Sequence, residues 1–190
     1  ALNLSSFDFF YRYNGQVCFK GSFQDEIYQI QSPKKKVPVY VLDRGFLKAD
    51  YGKKNAEIDP RNRMKGIQIQ NIFETDNYLL VSYTNEKNSY QGVFDKGEHS
   101  FVNAVDKNGK AGFTNDLTGG PSLIIFPFQV SPEGTIVNAL NAGYLVEHRK
   151  DFEIGNPRLP SRKAEWDKVL DNLTEDSNPV IFLVTVKSGR

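Results

Sequence analysis

Two short stretches hold the side chains best suited to grip a ligand. In TNDLTGGPSLIIF, Asn115 and Asp116 place an amide and a carboxylate beside a Gly-Gly-Pro turn. In DPRNRMKG, Arg61 and Arg63 place two guanidinium groups inside a long polar connection. The first pair offers a polar contact or a cation ligand. Arginines hold a carboxylate, a phosphate or a sugar hydroxyl through a fixed fork of N–H donors. Each stretch also has a structural reading. Asn and Asp bond nearby backbone amides in Asx turns, and arginines of a polar loop are solvated. A connection this long without a pattern of its own is uncommon in a compact domain and is often functional. Tyr51, in the same connection, is a ring able to stack on a sugar.

Reaction chemistry is sparse. His99 and His148 are the two histidines, and neither stands in HExxH or a paired metal-binding spacing, so both are expected at the surface. The run Asp106–Lys110, DKNGK, begins like a calcium loop but lacks the later acidic ligands and the distal Glu, which leaves a plain turn. The glycines before Ser122 do not form the GxSxG nucleophile elbow, and no Walker-type phosphate loop occurs. Cys18, the single cysteine, lies in a strand-like run, where a free thiol behaves as a small buried hydrophobe. The expectation is therefore no metal, no cofactor and no catalytic residue.

Bulk properties narrow the setting. A chain of 190 residues can build a substantial core, and 39% hydrophobic with 25% charged residues is a globular composition. A net charge of +1 gives no electrostatic footprint for nucleic acid. Lys34, Lys35 and Lys36 read as a solvated turn between strands. No run approaches the roughly 18 apolar residues of a membrane-spanning helix, and none reads as a signal peptide. The chain opens on Ala1 without a methionine, so polypeptide is expected to have preceded it.

The elements that must carry these residues are strands. With 14 Phe and 9 Tyr, the composition favours sheet over helix. SFDFFYRYN and QVCFKGSF flank Asn14-Gly15, a strong hairpin dipeptide. DEIYQIQ and VPVYVLDRG follow, giving four antiparallel strands in 1–45. The pattern restarts with IQIQNIFETD, YLLVSYTN, YQGVFDK and SFVNAVDK over 67–107, and again at 122–190 with SLIIFPFQVS, TIVNALNA and VIFLVTV. Trp166, Val169, Leu170 and Leu173 form one helical stripe. That predicts a C-terminal helix from Ser161, its N-cap, to Leu173.

Sets of four short strands are the pattern of propeller blades. The order YRYNGQVCFKGSFQDEIYQI, PVYVLDRG, NDLTGG leading to FPF, and EDSNPVIFLVTVK resembles the six-bladed β-propeller proteins of gut anaerobic bacteria, mostly lipoproteins of unknown function with NHL-like blades. Its markers are Asp25 with Tyr28, Leu42-Asp43, Asn115-Asp116 with Gly119-Gly120, and Glu175 to Pro179. None is a catalytic motif.

The resemblance implies an all-β fold of antiparallel four-stranded blades, about three of them, half of a six-bladed ring. It also implies an extracytoplasmic setting, in the periplasm or on an outer-membrane lipoprotein. Half a ring needs a partner, either the missing N-terminal half or another copy of the chain, because open sheet edges are prone to aggregate. NDLTGG becomes the crossover between an outer strand and the next inner strand. Asn115, Asp116, Arg61 and Arg63 then share the crossover face as ligand-binding residues. The expected function is non-enzymatic binding of a small ligand or an envelope protein, in the handling of glycans or peptides. The alternatives are a propeller hydrolase or lyase with Asp116 at a metal-assisted acidic site, and a purely structural interaction module.

Overall fold

A computed structural model describes residues 8–21, 24–47, 66–86, 88–105, 112–113, 115–117, 129–131, 134–150 and 159–185. The chain divides into two compact units, Ala1–Val102 and Asn103–Arg190.

The first unit holds two four-stranded antiparallel meanders. The first sheet is β1 (Phe9–Tyr13), β2 (Gln16–Lys20), β3 (Glu26–Ser32) and β4 (Lys35–Val41), in chain order. Asn14 and Gly15 turn β1 into β2 with φ of 48° and 71°, the left-handed pair that a tight hairpin requires. Of the three lysines expected in a turn, only Lys34 is there; Lys35 and Lys36 begin β4. Lys36 lays its Nζ 3.8 Å from the Tyr28 ring centre, a cation–π contact that accounts for a charged residue on a strand. A short 3₁₀ turn, Gly45–Leu47, follows β4.

The second sheet is β5 (Ile67–Glu74), β6 (Tyr78–Asn85), β7 (Asn88–Asp95) and β8 (Ser100–Asn103). One face of it packs on the first sheet. Ile69, Ile72, Leu79 and Val81 meet Cys18 and Ile27, and Tyr11, Tyr40 and Phe94 close the margins. Each fully buried side chain of this kind contributes about 1.5–3 kcal/mol. The ladder between β5 and β6 shifts register at Ile69/Asn71, leaving Gln70 as an extra residue. That bulge turns the rest of β5 over, so Ile72 and Glu74 follow Ile69 onto the inward face.

The second unit contains a three-stranded antiparallel sheet in the order β11-β10-β9, from β9 (Gln129–Val130), β10 (Thr135–Leu140) and β11 (Val180–Thr185). Most of the expected SLIIFPFQVS strand lies outside the described residues. Helix appears before the one expected. The run TIVNALNA is a strand only to Leu140; Asn141 then accepts a hydrogen bond from Gly143 N at 2.8 Å and caps α1 (Ala142–Glu147). The C-terminal helix α2 spans Pro160–Asn172, so Ser161 is not its N-cap. Pro160 occupies the first turn, where its missing N–H leaves no bond unmade. Three of the four predicted stripe residues face the core: Trp166 and Leu170 are buried with Leu145 and Phe182, and Leu173 packs partly buried against them, while Val169 is exposed.

Among the described residues no helix is long and apolar enough to cross a membrane.

Candidate functional site

In the first unit a cavity of about 360 Å³ opens beside the packed faces of the two sheets. Its walls are mainly apolar and aromatic, with Leu42, Ile69, Val81, Phe94 and Phe101 among them, and Asp43 and Arg44 supply the charge. These residues come from the end of β4 and the turn after it, the start of β5, the middle of β6, the end of β7 and β8. Phe101 is held over Gly92, where an added methyl would meet its Cζ at 2.1 Å. The missing side chain of Gly92 is what leaves room for the tip of that ring.

Arg44 fixes the edge of the cavity. It is buried, and its Nε donates to Asp25 Oδ1 at 2.7 Å while Nη2 donates to the same oxygen. Its Nη1 donates to Ile67 O at 3.0 Å. One guanidinium thus ties the start of β3 to the start of β5. The chain turns there because Gly45 takes φ 51° and its N–H bonds Asp43 Oδ1 at 2.8 Å. Leu42 N adds a bond to Asp25 O at 2.9 Å.

At the opposite end of β5 lies a buried polar cluster. Glu74 accepts hydrogen bonds from Tyr11 on Oε2 at 2.8 Å and from Tyr40 on Oε1 at 2.8 Å. Lys96 Nζ donates to Oε1 at 2.7 Å and to Thr75 O at 2.6 Å, and it lies 4.0 Å from the Tyr13 ring centre. Tyr13 donates to Asp76 at 3.0 Å. Burial, reinforced by the Glu74 charge, pushes the Tyr11 phenol far above its ordinary pKa, and burial followed by the Glu74 hydrogen bond does the same to Tyr40. Both phenols are held as donors. A carboxylate already serving three donors has little capacity left to take a substrate proton. The cluster therefore clasps the two sheets.

The predicted site residues fall in different places. Asn115 is buried in the second unit, and its Oδ1 accepts from Leu117 N at 3.0 Å, which is the Asx turn expected of it. Leu117 in turn packs against the Trp166 cluster. Asp116, next in that turn, is half-buried. Arg61, Arg63, Tyr51, Gly119-Gly120, Ser122 and the 106–110 turn lie outside the described residues. His99 is exposed in the turn before β8, and His148 stacks on Tyr144 with centres 4.2 Å apart. Among the described residues no group of His, Cys, Asp and Glu is arranged to hold a metal ion. Cys18 is buried, and burial raises its thiol pKa.

Sequence reasoning missed Glu74, Lys96 and Arg44. Asp25 and Leu42-Asp43 did stand out in the sequence, as parts of a resemblance, and both belong to the Arg44 tie. Glu74 carried no such signal, because strict alternation from Ile67 puts it on the wrong face.

The model of the family described as Domain of unknown function (DUF4934) matches residues 2–185. The crystal structure of a candidate exported protein from Bacteroides fragilis superimposes with a TM-score of 0.67 at 18% identity, covering 94% of this chain and 49% of that one. That likeness shows a shared fold, and this chain spans about half the length of that structure. No curated protein matches the sequence.

Proposed function

The chain belongs to the DUF4934 family, and we propose that it is a binding module without catalytic activity, built of β-propeller blades and working outside the cytoplasm. The cavity of about 360 Å³ carries the reading. A concave site of this size, mainly apolar with a few placed polar groups, is the usual form of a small-molecule pocket. Tyr83, Phe94 and Phe101 offer faces for a ring, and Asp43 offers an acceptor near the edge. Support for the blade reading comes from the two four-stranded meanders. The exported description of a protein that shares the fold supports the location. Asn115 with Asp116 in the second unit, and separately Arg61 with Arg63 in the first, are proposed as further ligand contacts.

Titration calorimetry of the purified protein against soluble neutral oligosaccharides and short peptides tests this. Saturable binding to at least one class is expected. Val81→Phe, which fills the cavity, is expected to abolish it, and Gly92→Ala, which displaces Phe101, to weaken it. Unfolding of both variants should stay cooperative. If Val81→Phe binds like the parent while Asp116→Asn, Arg61→Ala or Arg63→Ala does not, the site lies at the residue whose change weakens binding and the cavity is not it. If no probe binds at millimolar concentration, the binding reading fails.

A further inference from the structure

The two charged groups in the cavity wall differ in what they have left to offer. Among the described residues these are Asp43 and Arg44. Arg44 is already engaged. Three of its N–H donors hold Asp25 and the Ile67 carbonyl, and only 3% of its side chain reaches solvent. Turning it toward a ligand would break the tie between β3 and β5. Lys20, a cation close enough to feel the Arg44 charge, donates to Gly21 O at 3.1 Å and lies outside the wall.

Asp43 is in a different position. It is exposed, and the bond from Gly45 N to its Oδ1 takes only part of its acceptor capacity. A carboxylate has about four lone-pair positions, so room remains for a ligand donor. Behind it the wall is aromatic, with Tyr40, Tyr83, Phe94 and Phe101. The faces of such rings are electron-rich and attract cations. Tyr40 offers its ring without its hydroxyl, which donates to Glu74 at 2.8 Å. Phe101 is 51% exposed and Val41 66%, so a bound apolar group would remove wall surface from water.

We propose that the cavity takes an organic ammonium, with an apolar or aromatic body within the walls and a protonated amine on Asp43. This rests on the reading of the cavity as a binding site. The other charge classes fit the wall poorly. An anion would meet the Asp43 carboxylate and a guanidinium already held by Asp25. A neutral sugar would turn most of its hydroxyls toward carbon, and a hydroxyl buried without a partner is costly. A free amine and the amino terminus of a peptide with an apolar first residue share the required chemistry.

Titration calorimetry at neutral pH with three probes of similar shape tests the proposal. Phenethylamine carries the ammonium, 2-phenylethanol a hydroxyl in its place, and 3-phenylpropionate a carboxylate. The amine is expected to bind at least about tenfold more tightly than either, the gain of a charge-assisted hydrogen bond over a neutral one. Asp43→Asn keeps an acceptor for Gly45 N and is expected to shrink the gap between amine and alcohol to under about threefold, with the circular dichroism of the parent. Val81→Phe is expected to abolish binding of the amine. Phenylalanyl-alanine amide and its N-acetyl form separate the two sources. Binding tighter than that of phenethylamine, and lost on acetylation, assigns a peptide amino terminus; weaker binding assigns a free amine. Equal binding of amine and alcohol, tightest binding of the carboxylate, or an amine preference that survives Asp43→Asn overturns the proposal. If the amine fails at millimolar concentration while an oligosaccharide binds and Val81→Phe abolishes that binding, this proposal alone falls and the cavity remains the site. If nothing binds, both fall.

Discussion

Lys96 Nζ lies 2.7 Å from Glu74 Oε1, joining the end of β7 to the end of β5 across the strand between them. Only 3% of the Glu74 side chain and 18% of the Lys96 side chain reach solvent. Glu74 therefore sits where water cannot replace a lost partner.

Removing one partner from such a pair strands the other charge. Glu74→Gln is expected to destabilise the protein by about 3–5 kcal/mol. Adding Lys96→Met should recover part of the loss, because no unpaired charge then remains. Tyr11→Phe and Tyr40→Phe should each cost about 1.5–3 kcal/mol, as hydrogen bonds to a charged group. Urea denaturation followed by circular dichroism measures all four. A loss under about 1 kcal/mol for Glu74→Gln would place the pair with ordinary surface ion pairs.

Stability should rise and then fall on the alkaline side. Lys20 is buried, and burial together with the Arg44 charge lowers its pKa to about 8. The unfolded chain keeps that proton to about pH 10.4. Between these values the unfolded state binds more protons, so stability increases with pH. Below about pH 8 the amine is charged in both states and its destabilising effect is fully present. Tyr11 and Tyr40 work the other way, since their raised pKa values keep protons that the unfolded chain releases above about pH 10, and stability is lost there. Denaturation midpoints are expected to peak near about pH 10. Lys20→Met should remove the rise and leave the fall. A parent protein that only loses stability from about pH 8 upward would contradict the assignment.

The second unit depends on one indole. Trp166 is buried, with its ring 5.3 Å from Phe182 and Leu145 and Leu170 around it. Trp166→Ala should cost about 3–5 kcal/mol through the cavity it leaves. A change well under about 1 kcal/mol in chemical denaturation would show that the ring is not packed.

Asn115 and Asp116 should separate cleanly. Asn115→Ala removes the acceptor for Leu117 N from a buried turn and is expected to cost about 1–3 kcal/mol. Asn115→Asp keeps an acceptor and should lose less. Asp116→Asn should leave stability nearly unchanged, because asparagine serves a turn as well. Thermal denaturation of the three variants is the check, and an Asp116→Asn variant less stable than Asn115→Ala would reverse the assignment.

The strands were legible because their signals are local. Asn14-Gly15 fixes a hairpin through two residues alone, and Phe and Tyr mark the runs on either side. The buried indole was legible from helical spacing. Where the reading failed, a single residue changed the phase. Gln70 shifts the register of β5, so alternation counted from Ile67 points Glu74 outward when it lies inward. The Asn141 cap ends a strand that looked two residues longer. Arg44 and Asp25 are 19 residues apart, and nothing in their spacing announces that they meet. The cavity was beyond reach for the same reason, since its walls come from strands far apart in the chain.

The chain has one tryptophan, and the buried side chains clustered around it belong to residues 103–190. Its intrinsic emission thus reports on the packing of the second unit. The Glu74 clasp and the apolar cavity are dark to it, surrounded by tyrosines and phenylalanines instead. If the two units melt apart, an emission trace will record one event where calorimetry records two.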